Sequence, residues 1–361
     1  MNPYGRHPHE LDEFMVELGV PRYRADQLIK SLYQESPASL SDAKQLPAGL
    51  RKRLLQRFEG RLIPEVVART QSGDGDTTKL LLKLDDETLI ETVLMQYPES
   101  GKHPRSTVCI STQAGCAMAC RFCATGQMGF ERNLSAAEVV SQVVLMQREL
   151  ADRDQHITNV VFMGMGEPLA NYDATSRAVR ILTDPRALGL SRRSITVSTI
   201  GVVQGIDKLA SEDLGVTLAI SLHAPNDSLR RSLVPTAGPR SVHDLMDAAR
   251  RYFRATGRRV SIEYALIRGT NDSPAIAAEL ATLLERTGMH VNLIPVNPTA
   301  GDFERPSRSR VLAFQRVLTD AGLNCTVRAE RGVEIAAACG QLRTTAAEGI
   351  VSVVTGPENV E

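Results

Sequence analysis

The chain has 361 residues, of which 42% are hydrophobic and 23% charged, as expected for a large soluble globular fold with an accessory part. No run approaches 18 apolar residues, and "MNPYGRHPHELDEF" has no apolar signal segment, so we expect a cytoplasmic protein without a membrane span. Thiols stay reduced in the cytoplasm, which argues against a disulfide framework for the six cysteines.

The overall charge is balanced, with 42 basic and 42 acidic residues, but one part of the chain is basic. Residues 176–259 hold 14 Lys and Arg against 7 Asp and Glu, with pairs such as Arg192-Arg193 and Arg258-Arg259. Solvated helix faces account for such a surplus in many proteins. The alternative is a surface that binds the phosphates of a nucleic acid.

The first part of the chain is predicted to be helical, and a short β segment follows. Residues 1–60 contain three amphipathic stretches, "HELDEFMVELGV", "RYRADQLIKSLYQ" and "LPAGLRKRLLQRF", with apolar residues at helical spacing. Residues 61–104 contain "DTTKLLLKL" and "ETLIETVLMQY", which flank the turn Asp85-Asp86 as in a hairpin. We expect a helical accessory domain and a β-hairpin linker.

From residue 105 to 345, apolar strands alternate with amphipathic helices in six βα units. The strands are predicted over 107–112, 158–163, 194–199, 216–221, 259–267 and 290–295, and the helices over 135–151, 173–183, 202–210, 242–256, 273–287 and 307–321. The pattern predicts an open, partial (βα)6 barrel with its site at the carboxyl ends of the strands. Residues 346–361 are expected to be a tail.

Three cysteines follow the first barrel strand in the spacing C-x3-C-x2-C. Cys116, Cys120 and Cys123 have no histidine partner nearby, and closed structural zinc sites take four ligands. Three clustered cysteines are typical of a [4Fe–4S] cluster with one open iron. The alternative is three buried thiols at a chance spacing.

Polar residues also follow the later strands. Each one alone is typical of a cap or a turn, but successive strand ends meet at one face of a barrel, so together they predict a cofactor site. These candidates are Gly166 and Glu167 in "GMGEP", then Ser198, then Ser221, Leu222 and His223 in "SLH", and Asn297.

The cysteine motif and its barrel resemble the radical S-adenosylmethionine enzymes. The set "CISTQAGCAMACRFC", "GFERNL", "NVVFMGMGEPL", "ISLHAPND", "NLIPVNP" and "AACGQL" resembles the RlmN family of RNA adenine C2-methyltransferases over nearly the whole chain. "YRADQLIKSLYQ" is similar to that family's accessory domain, which has a helix-hairpin-helix-like form. The resemblance implies a [4Fe–4S] cluster and two S-adenosylmethionine molecules per turnover, with Glu167 receiving the ammonium group of the cofactor.

The resemblance also implies three catalytic residues. Cys339 carries a methyl group that becomes bonded to C2 of adenine, Glu91 removes the C2 proton, and Cys109 attacks the sulfur of Cys339 to free the RNA. A transient Cys109–Cys339 disulfide remains. Independently of the resemblance, the apolar stretch "CTVRA" predicts a strand, in which Cys325 is expected to be a core residue. The implied substrates are adenine 2503 of 23S ribosomal RNA and, in some members, adenine 37 of transfer RNA.

Three other functions remain open at this point. A Cfr-like enzyme methylates C8 of the same adenine and shares both extra cysteines. A non-catalytic iron–sulfur RNA-binding protein has no use for an acceptor thiol at position 339, and the basic segment argues against a radical enzyme with a small-molecule substrate. The expected partners are the RNA and an electron donor such as flavodoxin or ferredoxin, and the protein is expected to be a monomer.

Overall fold

A computed structural model describes residues 2–37, 39–58, 61–98, 104–151, 155–237, 241–328 and 331–343. The predicted tail over 346–361 lies outside these residues. The N-terminal part is helical, as expected: it contains α1 (Pro8–Glu17), α2 (Tyr23–Lys30) and α3 (Ala48–Arg57), and the π turn Ser31–Glu35 extends α2.

Ten strands form one open sheet, in the order β1-β2-β3-β4-β7-β8-β9-β10-β11-β12, and β5 and β6 form a separate hairpin. The predicted hairpin is present as β2 and β3, and β1 to β4 are antiparallel. From β4 to β12 all neighbours are parallel, as in a partial barrel. The strands are β1 (Glu65–Gln71), β2 (Thr77–Lys83), β3 (Leu89–Tyr97), β4 (Arg105–Cys109), β5 (Gln113–Gly115), β6 (Phe130–Asn133), β7 (Asn159–Phe162), β8 (Ile195–Thr199), β9 (Thr217–Ser221), β10 (Val260–Leu266), β11 (His290–Pro295) and β12 (Cys325–Val327).

The six predicted barrel helices are present within three residues of their expected ends, and two further helices are added. These are α4 (Ala124–Met128), α5 (Ala136–Ala151), α6 (Tyr172–Thr183), α7 (Val203–Ser211), α8 (Asp227–Leu233), α9 (Val242–Thr256), α10 (Pro274–Leu284) and α11 (Arg308–Asp320). The helices α4 and α8 were not expected, since each is too short to show a helical period. The predicted (βα)6 architecture is confirmed, with β12 as an additional parallel strand.

The first barrel strand ends earlier than the predicted 107–112, at Cys109. Ile110 still donates its N–H to the carbonyl of Val161 at 3.0 Å, but at Ser111 side chains take over the hydrogen bonds. The Ser111 N–H donates to Gln142 Oε1 at 2.8 Å, and Ser111 Oγ donates to the carbonyl of Glu91 at 2.6 Å. The chain therefore leaves the sheet at Ser111, toward the cysteine loop.

The register of the sheet places one row of residues on a common face. Lys79 of β2 lies opposite Val93 of β3, which lies opposite Cys109 of β4, and Cys109 lies beside Val161 of β7. Residues directly opposite each other project to the same side of a sheet. The antiparallel strands thus extend the surface that carries Cys109.

The 3-10 turn Pro3–Gly5, which precedes α1, packs against α5 and α6. Arg177 and Arg186 of the barrel form ion pairs with Glu10 and Asp12 of α1, the second at 2.9 Å. The buried apolar residues of this region belong to the same cluster as those of the barrel. No helix among the described residues is long and apolar enough to cross a membrane.

Candidate active site

The three cysteines of the C-x3-C-x2-C motif lie between β5 and α4. The Cys116 N–H donates to the carbonyl of Gly129 at 2.7 Å, and the Cys123 N–H donates to the carbonyl of Cys120 at 3.1 Å. A Cβ at Gly126 would lie 2.8 Å from the backbone nitrogen of Cys120, so the loop closes tightly only with glycine there. Backbone bonds thus fix the loop without using the thiols.

All three thiols are half-buried and form no disulfide bond. Burial raises the pKa of Cys116 to about 12 and raises the pKa of Cys120 and Cys123 above the ordinary value, so the thiols hold their protons until a metal displaces them. In the part of the chain that the structure describes, no group of three or more His, Cys, Asp or Glu side chains is placed to bind a single metal ion. Met118 and Phe122 supply an apolar shield. The three thiols line one common cavity, an arrangement that fits an iron–sulfur cluster.

A cavity of about 160 Å³ opens beside these cysteines at the carboxyl ends of the barrel strands. Its position, at the strand ends of a barrel, is typical of a small-molecule cofactor site. The structure brings most of the predicted cofactor residues to its wall, namely Gly166, Glu167, Ser198, Ser221, His223 and Asn297. Leu222 does not line it: its side chain is fully buried in the core, so a contact with a cofactor has to come from its backbone.

The turn after β7 is built around Gly166 and Glu167. Gly166 has φ +101°, and a Cβ there would lie 2.5 Å from the Cβ of Gln113. The Glu167 carboxylate accepts from the N–H of Leu169 at 2.9 Å and from the N–H of Ile200 at 2.7 Å. Burial raises the pKa of Glu167 to about 7, and these backbone donors oppose the rise. The carboxylate therefore joins two loops as well as facing the cavity.

His223 adopts φ +61° and is buried. Its Nδ1 accepts from the N–H of Ala265 at 2.9 Å, which assigns the proton of the neutral ring to Nε2. Burial, together with the Arg230 guanidinium, lowers the pKa of His223 to about 3, so the ring stays neutral. Ser198 and Ser221 place their hydroxyl oxygens 3.4 Å apart on the same wall. The site therefore offers neutral hydrogen-bonding groups to a ligand.

Asn297 links the cofactor cavity to the loop that carries Cys339. Its Nδ2 donates to the carbonyl of Cys339 at 3.2 Å, whereas its buried Oδ1 has no partner among the described residues. Glu263 also lines the cavity and has one buried oxygen, Oε2, without a hydrogen bond among those residues. Buried polar atoms are rarely left unsatisfied, so both are available to a bound ligand.

Cys109 and Cys339 line a second, smaller cavity of about 30 Å³, and Cys339 lines the cofactor cavity as well. Both are free thiols. Burial and the neighbouring Cys339 raise the pKa of Cys109 to about 12. The segment that follows Cys123 is joined to the segment that follows Cys339. The Ala124 N–H donates to the carbonyl of Gly340 at 2.7 Å, and Thr125 Oγ1 donates to the carbonyl of Leu342 at 2.6 Å.

Glu91 is buried on β3 and is not among the residues that line either cavity. Its Oε1 lies 3.0 Å from Lys79 Nζ, and its Oε2 accepts from the N–H of Arg343 at 2.9 Å. Burial raises the pKa of Glu91, while Lys79 and the Arg343 N–H oppose the rise. The carboxylate is thus basic for a glutamate and in contact with the segment that follows Cys339.

Sequence reasoning missed Lys79, Glu263 and Arg328. Arg328 follows β12 and lines both cavities beside Cys339, which is the position of a residue at the end of a parallel strand. The predicted strand "CTVRA" carried that signal. The position of Lys79 beside the site becomes apparent only from the register of the β2–β3 hairpin and from its contact with the distant segment around Cys339.

Several cations among the described residues of the basic segment 176–259 are engaged in contacts within the protein. Arg230 is buried and donates to the carbonyls of Leu222 and Ile200. Several of the other cations are paired with acidic residues, namely Arg177 with Glu10, Arg180 with Glu212, Arg186 with Asp12, Arg250 with Asp247, and Arg251 with Asp207. Arg192 and Arg193 are exposed. The charge surplus is therefore explained in part by structural ion pairs.

The chain matches two family models. Residues 110–281 match the radical SAM superfamily, and residues 1–59 match the ribosomal RNA large subunit methyltransferase N-terminal domain. The three cysteines and the turn at Gly166 lie within the first match.

Similar proteins cover nearly the whole chain. The ribosomal RNA large subunit methyltransferase N of Nitrosopumilus maritimus is 57% identical over 339 residues, which cover 93% of this chain and 97% of that protein. The probable dual-specificity RNA methyltransferase RlmN of Chloroflexus aurantiacus is 49% identical over 346 residues, which cover 92% of this chain and 90% of that protein. The crystal structure of a radical SAM methyltransferase from Sphaerobacter thermophilus superposes with a TM-score of 0.90 at 49% identity and covers 95% of this chain and 99% of that one.

These matches join the cysteine loop, the barrel and the N-terminal helices in one family. Radical SAM membership implies a [4Fe–4S] cluster and S-adenosylmethionine, and the thiols and cavity described above fit both. The chain therefore belongs to the RlmN family of radical S-adenosylmethionine RNA methyltransferases.

Proposed function

We propose that this enzyme methylates C2 of adenine 2503 in 23S ribosomal RNA, and that adenine 37 of transfer RNAs is its second substrate. The observation that carries the proposal is the position of Cys339, which lines both the cofactor cavity and the cavity of Cys109. A thiol in that position can accept a group on one side and deliver it on the other. The relatives named as ribosomal RNA and dual-specificity methyltransferases support the choice of RNA.

The chemistry of C2 explains the residues. C2 of adenine is an electrophilic carbon, so a methyl cation equivalent has no nucleophile to react with there, and a radical route is required. When bound, the cluster and S-adenosylmethionine supply a carbon radical that abstracts a hydrogen atom. Cys116, Cys120 and Cys123 would hold the cluster, and Gly166, Glu167, Ser198, the segment Ser221-Leu222-His223 and Asn297 would hold the cofactor.

Cys339 acts as the carrier of the methyl group. Its thiol loses a proton, and its sulfur bonds to the methyl carbon of one S-adenosylmethionine and displaces S-adenosylhomocysteine. Cys339 thereby becomes S-methylcysteine. The methyl then loses one hydrogen atom, and its carbon bonds to C2 and joins the RNA to the protein through a thioether. One methyl donation and one hydrogen abstraction account for two S-adenosylmethionine molecules per turnover.

Glu91 and Cys109 complete the reaction. The radical adduct would return one electron to the bound cluster, and the C2 proton passes to the Glu91 carboxylate, whose pKa is raised by burial. The Cys109 sulfur then attacks the Cys339 sulfur, the bond from that sulfur to the new carbon breaks, and the carbon takes a proton to become the methyl group. The Cys109–Cys339 disulfide that remains must be reduced before another turnover. We expect a cytoplasmic monomer that receives its electron from a flavodoxin or a ferredoxin.

A Cfr-like methylation at C8 uses the same two thiols, so the site alone does not separate it from methylation at C2. The motifs that resemble the RlmN family of RNA adenine C2-methyltransferases favour C2. The discriminating experiment uses anaerobically reconstituted enzyme with a reductant, S-adenosylmethionine, and defined 23S fragments and transfer RNA. Digestion to nucleosides and mass spectrometry against 2-methyladenosine and 8-methyladenosine standards assigns the carbon.

We expect 2-methyladenosine from both RNAs and no product from a Cys339→Ser variant, which lacks the sulfur that carries the methyl group. Appearance of 8-methyladenosine as the only product would overturn the assignment to C2. Methylation of the 23S fragment alone would remove transfer RNA from the substrates.

A further inference from the structure

The loop that carries Cys339, residues 331–343, is attached to the hairpin β2–β3 on both sides of that cysteine. Before Cys339, the carbonyl of Ala336 accepts from Lys79 Nζ at 3.2 Å. After Cys339, the N–H of Arg343 donates to Glu91 Oε2 at 2.9 Å. We call residues 331–343 the Cys339 loop.

The two attachments share one ion pair. Lys79 Nζ lies 3.0 Å from Glu91 Oε1, so a single ammonium group contacts both the carboxylate and the carbonyl of Ala336. The pair is largely shielded from water, with side-chain exposures of 14% for Lys79 and 5% for Glu91. An ion pair out of water is screened little by salt. Ala336 and Arg343, which lie on either side of Cys339, are therefore held by the same two side chains.

The sheet register explains how a lysine reaches this position. Lys79 lies opposite Val93, and Glu91 lies opposite Leu81, so the two charged residues are diagonal neighbours on one face. Val93 in turn lies opposite Cys109. Lys79, Glu91 and Cys109 therefore surround Val93 on the face over which the Cys339 loop packs.

Another lysine on the same strand shows the ordinary alternative. Lys83 lies four residues further on and projects to the same side of β2. It pairs with Glu65 at 3.4 Å and with Glu87 at 3.2 Å, and the Glu87 side chain is 73% exposed. An exposed pair of this kind has little effect on structure. Lys83 is thus a matched control for Lys79.

We propose that Lys79 is a positioning residue, which fixes the Cys339 loop and the Glu91 carboxylate relative to each other through its shared ammonium group. Bonds from Ala124, Thr125 and Asn297 hold the Cys339 loop to the barrel, and Lys79 fixes that loop relative to the base that removes the proton. The inference rests on the proposed function for that last step, because Glu91 acts as a base only if the C2 proton has to leave.

Among the described residues, Lys79 and Arg343 are the charged groups that act on the Glu91 carboxylate. Lys79 faces it from β2, and Arg343 faces it from the Cys339 loop with its backbone N–H and its cationic side chain. Burial raises the pKa of Glu91, and both residues oppose the rise. Loss of the Lys79 charge therefore raises that pKa further, so that the carboxylate is available only at a higher pH.

The test compares Lys79→Met with Lys83→Met, with Lys79→Arg as the conservative variant that keeps the charge. Iron content and circular dichroism establish that each protein is folded and loaded. Hydrogen–deuterium exchange without RNA is then measured on peptides covering the Cys339 loop. Because a hydrogen bond to a charged group is lost, we expect exchange about tenfold faster in Lys79→Met, with Lys79→Arg close to wild type and Lys83→Met unchanged.

The second measurement is the release of methylated RNA from the enzyme in a single turnover at a series of pH values. The acidic limb of the profile should move to higher pH in Lys79→Met, return toward wild type in Lys79→Arg, and stay in place in Lys83→Met. A purely structural lysine would lower the rate without moving that limb.

Three outcomes decide the inference. Unchanged exchange of the Cys339 loop in Lys79→Met overturns the shared attachment, and faster exchange without a shift of the acidic limb overturns the link to Glu91. If Lys79→Met does not fold, Lys79→Gln keeps a donor for Ala336 without the charge, and an unmoved limb in that variant overturns the same link. If wild type forms no 2-methyladenosine, the proposed function fails, while the exchange measurement still tests the attachment by itself.

Discussion

Cys109 and Cys339 line one cavity, although Cys109 ends the first parallel strand and Cys339 lies on a loop that follows the last one. The barrel brings the two together because its first and last strands both present their carboxyl ends on the same side. Only Cys339 also lines the cofactor cavity. The two thiols therefore have different access to the cofactor, and different roles follow from that difference.

Replacement of Cys109 should block the release of RNA and leave its attachment intact. Cys109 lies outside the C-x3-C-x2-C spacing, so a Cys109→Ala variant should keep its iron and accumulate a protein–RNA species that survives denaturation. Gel electrophoresis with protease and nuclease digestion detects this species. Cys325→Ala is the matched control, since Cys325 is also buried but lines neither cavity. Loss of iron from Cys109→Ala would make Cys109 a ligand and reject the assigned role.

The C-x3-C-x2-C loop should bind about four iron and four sulfide ions after anaerobic reconstitution. Cys116→Ala should lose the brown chromophore and all methylation, because the three thiols hold the cluster together. Metal analysis and the visible absorption spectrum measure this. A fully active protein that contains zinc alone would contradict the assignment.

Much of the fold can be predicted because parallel barrel strands are buried on both faces and stand out as apolar runs between amphipathic helices. The cysteine loop is equally visible, since three ligands of one cluster lie within a short segment. The strands β5 and β6 escape prediction because their sequences, "QAG" and "FERN", contain no apolar run. Their pairing depends on the loop between them.

The contacts of Lys79 could not be predicted for a different reason. A lysine in an amphipathic strand is ordinarily solvated, and its partner Ala336 is far away in the sequence. Glu91 could be assigned by resemblance, but its contact with Arg343 depends on where the Cys339 loop folds back. Long-range contacts between a hairpin and a loop leave no periodic signal in either segment.

Gly166→Ala should destabilise the protein and abolish cofactor binding. The residue has φ +101°, and a Cβ would lie 2.5 Å from that of Gln113, so both backbone strain and a clash oppose alanine. We expect a loss of about 2–4 kcal/mol in the free energy of unfolding, measured by chemical denaturation. Gly257→Ala is the control, because Gly257 has φ +62° but no atom within 4 Å of a Cβ, and strain alone costs about 1–2 kcal/mol. Equal losses in both variants would show that the contact with Gln113 does not matter.

The two polar atoms of Asn297 should have different roles: Oδ1 should bind the cofactor, and Nδ2 should hold the Cys339 loop. Asn297→Asp removes the donor to the carbonyl of Cys339 and keeps an acceptor at the position of the unpartnered Oδ1, whereas Asn297→Ala removes both. If Oδ1 contacts the cofactor, Asn297→Ala should weaken S-adenosylmethionine binding by about tenfold, and Asn297→Asp should weaken it less. Equilibrium binding to the reconstituted enzyme measures both. Equal affinities in wild type and Asn297→Ala would remove Asn297 from the cofactor site.

Binding of RNA should depend on Arg193 and should weaken with salt. Arg193 is exposed in the basic segment, next to the equally exposed Arg192, while many of the other cations there are taken up by ion pairs. If Arg193 contacts a phosphate, Arg193→Glu should lower the affinity for RNA and reduce the dependence of log K on log salt by about one. Arg286→Glu makes the same charge change at a side chain that is 91% exposed and lies outside the segment. Filter binding of a 23S fragment at several salt concentrations compares the two variants, with iron content as the check that each enzyme is intact. An equal effect of both substitutions would mean that only the overall charge matters, and no effect of either would make the segment an ordinary solvated surface.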